Sequence, residues 1–423
     1  MIQTLTDGVT LNVIPSKQFK TIRVVLTFLA PLDNKTITKR SLLASLLETN
    51  SADYPTQTDL AAKLSAMYGA NFGISVNKRG NAHFFTVTLT LTNDKFLPVQ
   101  TGLLAEGLEF LKSVLYRPNI VDNAFEATTF QREKENMTAY LASVYDNKQA
   151  YASLKLQALY FKNDENQRVP SFGSQSVLDQ IQPDELYQYY QKMLREDQIL
   201  INVLGDVDES AVREAFADFS FAARQVPTTP LFYHQPAFEQ IQEETQTQAV
   251  VQGKLNLAYQ VPTYYYEPNY LPMLVTNGIF GGSPLALLFT NVREKASLAY
   301  YASSSYDAFR GIITVQTGID SKNKTQVLDI VAKQLASVQA GDFSDDLIAK
   351  TKAMIINQYI SGLDSTGYLT NQQLIQTLVP TSRIAITDFQ QQIMAVTKQQ
   401  IQELAKQIKL QAIYFLNGEG GQA

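Results

Sequence analysis

The order of elements written into this chain occurs twice. In the first half, Val9 to Ile14 reads as a strand launched by the Asp7-Gly8 turn, and Thr21 to Leu29 as a buried, β-branched one. Two helices follow, Thr38 to Glu48 with a stripe of Leu42, Leu43, Leu46 and Leu47, and Thr58 to Tyr68 with Thr58 as N-cap and Gly69 as stop. Strands come next at Asn71 to Asn77 and His83 to Thr92, then long helices at Leu97 to Leu115 and Ala124 to Tyr145. A shorter helix, Pro183 to Leu194, and a strand, Ile199 to Leu204, close on Gly205-Asp206. In the second half the strand Leu255 to Tyr259 leads into helical stretches Tyr270 to Ile279 and Leu285 to Glu294, and then strands at Tyr300 to Tyr306 and Gly311 to Thr317. Long helices at Lys324 to Ala340 and Asp345 to Leu363, a short one at Lys398 to Lys409 and a strand at Ala412 to Leu416 complete the repeat. Gly205 and Gly418 mark equivalent ends about 213 residues apart, close to half the chain, so an internal duplication is the economical explanation.

That pattern predicts an α+β fold made of two homologous two-layer sandwich domains arranged as a clam-shell. A chain of 423 residues also exceeds one ordinary core and fits two domains of about 200 residues each. Ala222 to Gln248 is polar and carries Pro227, Pro230 and Pro236, so the expected division is 1–221, a linker at 222–248, and 249–423. A net charge of -5 leaves no basic footprint for nucleic acid. With no cysteine, disulfides and thiolate zinc sites are impossible. The N-terminus lacks the basic and apolar regions of a secretory signal, and no apolar run approaches about 18 residues, so a cytoplasmic protein with no membrane span is expected.

Chemistry concentrates after the glycine turn Phe280-Gly281-Gly282-Ser283-Pro284, in Thr290 to Tyr300. Arg293 and Tyr300 stand seven residues apart across a helix-to-strand junction, where a forked guanidinium and a phenol can serve one cleft; a surface helix end with a core tyrosine accounts for the same spacing. The stretch resembles the C-terminal signature of the pitrilysin/insulinase (inverted zincin) metallopeptidase family. The resemblance extends, in the family's order, through Leu115-Tyr116-Arg117-Pro118, Phe125, Phe130-Gln131-Arg132-Glu133-Lys134 and Leu204-Gly205-Asp206, and so covers essentially the whole chain. Tyr68-Gly69-Ala70 is similar to the bacterial branch whose members are often encoded as an active and a degenerate subunit.

The resemblance implies an H-x-x-E-H zinc motif on the first long helix, two histidines at i and i+4 holding the metal and a glutamate polarising the attacking water. The matching residues are Ser45-Leu46-Leu47-Glu48-Thr49, so only Glu48 is kept. The family's third ligand, a glutamate seven residues past the position of Glu133, is Tyr140 here. Hydroxyls are poor zinc ligands beside imidazole, so no metal and no cofactor are expected. Two histidines in all, His83 in a strand pattern and His234 in the linker, cannot rebuild a site. Glu133 with Glu135, or Glu48 with Asp53, offers paired carboxylates, but such groups are ordinarily solvated charges. No G-x-S-x-G elbow occurs, and Gly281-Gly282-Ser283-Pro284 lacks the ending of a phosphate loop.

The expected function is therefore a zinc-less subunit that binds peptide and pairs with an active, zinc-binding homologue, or forms a homodimer. In that pairing the resemblance gives Arg293 the substrate carbonyl and Tyr300 the tetrahedral oxyanion. A stand-alone peptide-binding or scaffolding protein and a peptidase with an unrecognised metal site stay open as alternatives.

Overall fold

The computed structural model describes residues 2–98 and 102–418. The chain forms two compact units. The first comprises Met1–Ala142, Val169–Pro230 and Ser365–Thr377, and the second Ser143–Arg168, Leu231–Asp364 and Leu378–Ala423.

In the first unit six strands form a mixed sheet in the order Ile2–Thr6, Val9–Pro15, Gln198–Gly205, Thr21–Pro31, Ala82–Thr92, Asn71–Arg79. Alternation along each strand puts Leu11, Val24, Leu26, Val87, Leu89 and Ile201 on one face. There they pack with Leu42, Leu43, Leu46 and Leu47 of the helix Asn34–Thr49 and with Leu111 and Val114 of Leu103–Tyr116. Asp33 caps the first of these helices by accepting from the Lys35 amide. The helix expected from Thr58 starts earlier, at Gln57, because Thr56 and Asp59 make a reciprocal capping box, each side chain bonded to the other's backbone N–H at 3.1 Å. Pro183 opens the helix Pro183–Glu196. The helix expected from Leu97 begins at Leu103, residues 99–101 lying outside the described ones, and the one expected from Ala124 begins at Ala127 after the short strand Ala124–Phe125.

In the second unit five strands run in the order Ala299–Asp307, Ile312–Ile319, Gly253–Gln260, Lys409–Gly418, Gln242–Gln248. The last of these lies in the stretch that composition assigns to the linker. Gln242–Gln248 pairs in parallel with Lys409–Gly418 at the sheet edge, where backbone pairing suffices and an all-polar sequence is tolerated. Helices Tyr270–Phe280, Lys324–Ala340 and Asp345–Gly362 match the expected ones closely, whereas the helix expected over Lys398 to Lys409 ends at Ala405 and Lys409 already opens the last strand.

Each unit also contains a helix from the other half of the chain that the sequence pattern did not reveal. Thr366–Leu378, from the second half of the chain, lies on the first unit's sheet, and Lys148–Tyr160, from the first half, lies on the second unit's sheet. The architecture is α+β, with two sheet-and-helix units of replayed order.

Candidate functional site

The helix Asn34–Thr49 brings Ser45 and Thr49 one turn apart on one side, and the Thr49 hydroxyl donates back to the Ser45 carbonyl at 2.8 Å. Glu48 points toward the edge strand, where its Oε2 accepts from the Ile74 amide at 3.4 Å. Gly73 lies beside this carboxylate, where a Cβ would make ordinary contact at 3.6 Å with Glu48 Oε1. Partial burial raises the Glu48 pKa above the usual carboxylate value; the Ile74 amide opposes the rise and the charge of Glu133 adds to it. Glu133, buried on the helix Ala127–Asp146, accepts from Arg132 Nε at 2.9 Å and Asn136 Nδ2 at 3.2 Å. Sequence reasoning did not foresee the Glu48–Glu133 coupling, because no local pattern links residues on two distant helices.

Ser45 and Tyr140 line one cavity of about 420 Å³, together with Ile74, Asn136, Met137 and Phe172. Tyr140 is half exposed and meets Phe172 edge to face at 5.6 Å. Thr49 is buried but is not among the lining residues. The cavity wall is thus aliphatic and aromatic with neutral hydroxyl and amide groups. Among the described residues no group of three His, Cys, Asp or Glu side chains is placed to hold a metal ion.

The other candidates are engaged elsewhere. His83 is fully buried; its Nε2–H donates to the Ser171 carbonyl at 3.0 Å, and burial beside the Arg40 guanidinium pushes its pKa down to about 3. Arg40 is itself buried, bonded to Asp197 Oδ2 and to the Phe28 carbonyl. His234 lies against the Tyr264 ring at 4.2 Å. Glu135 accepts from Gln131, and Asp53 pairs with Arg117, so neither proposed carboxylate pair forms.

Arg293 and Tyr300 belong to the second unit. Where an α-helix was expected, Phe289–Lys295 is a π-helix, in which the Ala296 amide reaches back to the Asn291 carbonyl at 3.2 Å. This wider turn places the Arg293 guanidinium 4.6 Å over the Phe289 ring. The chain then reverses through Ser297 at φ 54. Tyr300 follows at a bulge: Ala299 pairs with Ile319 and Tyr301 with Gly318, leaving Tyr300 as the extra residue on an edge strand. Tyr300 is 72% exposed, and among the described residues neither its hydroxyl nor the Arg293 guanidinium has a hydrogen bond or ion pair. The core tyrosine that the spacing also allowed is thereby set aside.

Two sheet-and-helix units of replayed order define a class of duplicated α+β fold, and the helix Asn34–Thr49, where the resemblance expects metal ligands, carries Ser45 and Thr49 around Glu48. Residues 180–355 match the family model described as the peptidase M16 inactive domain. The probable inactive metalloprotease YmfF of Bacillus subtilis (strain 168) is 35% identical over 416 residues, 98% of this chain and 97% of that protein. A conserved protein from Enterococcus faecalis V583 of known crystal structure is 46% identical, with a TM-score of 0.96 over 100% of this chain and 99% of that one. The peptidase M16 inactive domain from Pseudomonas fluorescens shares the fold at 17% identity and a TM-score of 0.81, covering 100% and 99%. The chain belongs to the M16, or pitrilysin/insulinase, family as an inactive-type metalloprotease homologue. A zinc ion does not fit the side chains of Ser45, Thr49 and Tyr140, which offer hydroxyls, one of them bonded back to its own helix, and a phenol packed on Phe172, but no imidazole or carboxylate. Among the described residues no helix is long and apolar enough to cross a membrane.

Proposed function

We propose that this protein is a zinc-less, peptide-binding subunit that complements an active, zinc-bearing homologue by supplying Arg293 and Tyr300 to the reaction. The observation that carries the reading is the pair itself. An arginine and a tyrosine are held without polar partners at a π-helix and a β-bulge, two irregularities that regular packing does not require. Arg293 forks onto the peptide carbonyl, and Tyr300 donates to the oxygen that gains charge as water adds. The neutral cavity beside Ser45 and Tyr140 gives the peptide an apolar seat without a metal.

The test mixes the wild-type protein, or the Tyr300→Phe variant, with the zinc-bearing homologue and follows steady-state peptide cleavage, with assembly checked by size-exclusion chromatography. Losing an oxyanion donor lowers turnover roughly a hundredfold to a thousandfold with assembly intact. Tyr300→Phe keeps the ring and its packing, so unchanged turnover would move the protein to the scaffold reading.

A further inference from the structure

Each sheet carries on its second face a helix from the other half of the sequence, and the two seats differ in chemistry. Under Lys148–Tyr160 the seat is apolar and aromatic: Tyr151, Ala152, Leu156 and Tyr160 pack with Ala258, Ala412, Tyr414 and Leu416. Its polar groups are matched. Tyr151 and Tyr414 both donate to Gln246 Oε1, at 2.7 and 2.9 Å, Gln316 Nε2 donates to Ser153 Oγ at 3.0 Å, and Tyr301 bonds to Gln149. The Tyr160 hydroxyl, at the helix end, is the exception.

Under Thr366–Leu378 the seat is mixed, with buried Val25, Leu200 and Leu204 sharing it with a row of polar groups. Strand register puts Thr10, Asn12, Asn202 and Arg23 on the face opposite the apolar core. Asn12 pairs directly with Asn202, and both are essentially inaccessible. Asn12 Nδ2 donates to Thr377 Oγ1 of the helix at 3.2 Å, but Asn12 Oδ1, both ends of the Asn202 amide, Thr10 Oγ1 and Arg23 Nε have no protein partner. Asn77 Oδ1 on the edge strand of the same face is also unmatched. A dry seam does not tolerate this many buried groups without hydrogen bonds, whereas a polar seam accommodates bridging water.

We propose that the seam beneath Thr366–Leu378 is hydrated, and that this helix is a detachable strap that undocks as one segment while Lys148–Tyr160 stays seated. Water-bridged bonds are exchanged for bulk water with little loss, and Thr370, Leu374 and Ile375 are the buried residues the helix withdraws. Undocking Lys148–Tyr160 instead strips apolar and aromatic area from a packed cluster.

Native-state hydrogen exchange on the full chain reads this directly. Amides of 370–378 are expected to exchange at least tenfold faster than those of 150–160. Because the chain has no cysteine, thiol labelling gives an independent readout from the Thr370→Cys and Ala152→Cys variants, whose parent residues are both buried. At least tenfold faster labelling of Thr370→Cys supports the strap. Equal protection of the two helices, or earlier opening of Lys148–Tyr160, overturns it, and exchange on the unmodified protein decides if a variant fails to fold.

Discussion

Thr49, where the resemblance expects a metal-binding imidazole, turns its side chain back onto its own helix and bonds the Ser45 carbonyl, so its hydroxyl is satisfied. Tyr140 does the equivalent by packing on Phe172. That Ser45 and Thr49 share one side of the helix was legible from their i, i+4 spacing. The coupling of Glu48 to Glu133 was not legible, since it depends on how two helices meet. Nor was the fate of His83, a strand residue in a pattern that does not reveal burial on both sides. Its folded pKa of about 3 lies below the unfolded value of about 6.5, so the unfolded chain takes up the proton first as pH falls. The contribution to stability is complete above about pH 6.5 and is lost toward pH 3, at up to about 1.4 kcal/mol per pH unit. Urea denaturation of wild type and His83→Gln at pH 6.5 and pH 5 is expected to show roughly 2 kcal/mol less acid sensitivity in the variant. Identical pH dependence in the two proteins would mean that folding leaves the His83 pKa at its unfolded value.

At the scale of elements, the helices and strands with strong periodicity were readable to within a few residues, including Lys324–Ala340. Lys148–Tyr160 and Thr366–Leu378 were not, because both helices carry mixed polar and apolar positions rather than a clean stripe. The strand Gln242–Gln248 was hidden by its composition, and the π-helix by its nature, since one extra residue per turn leaves no mark on an apolar pattern. The cavity depends on one loop device. Gly173, at φ 90, follows the lining residues Ser171 and Phe172, and a Cβ there would lie 2.3 Å from Thr38 Oγ1 and 2.7 Å from Thr38 Cα. Gly173→Ala is therefore expected to lower stability by about 2 kcal/mol or more, combining left-handed strain with a clash against the helix Asn34–Thr49. A change within about 0.5 kcal/mol in chemical denaturation would show that the loop relaxes freely.

For the whole molecule, the duplication was the most legible feature, because two stretches with one order of elements fold by one plan. Assignment of 143–168 and 365–377 to the opposite units was beyond composition, which says what a segment is made of and not which sheet it covers. Family membership fixes the fold, and the reading of the site turns on whether Ser45, Thr49 and Tyr140 occupy the metal-ligand positions around Glu48. Isothermal titration of zinc into the purified Ser45→His, Thr49→His, Tyr140→Glu triple variant tests that most directly, with the parent protein as the control. The account predicts one zinc bound per chain by the variant, with Glu48 already in register, and no stoichiometric zinc in the parent. A triple variant that folds yet binds zinc no better than the parent, or a parent that already binds one zinc, would contradict it.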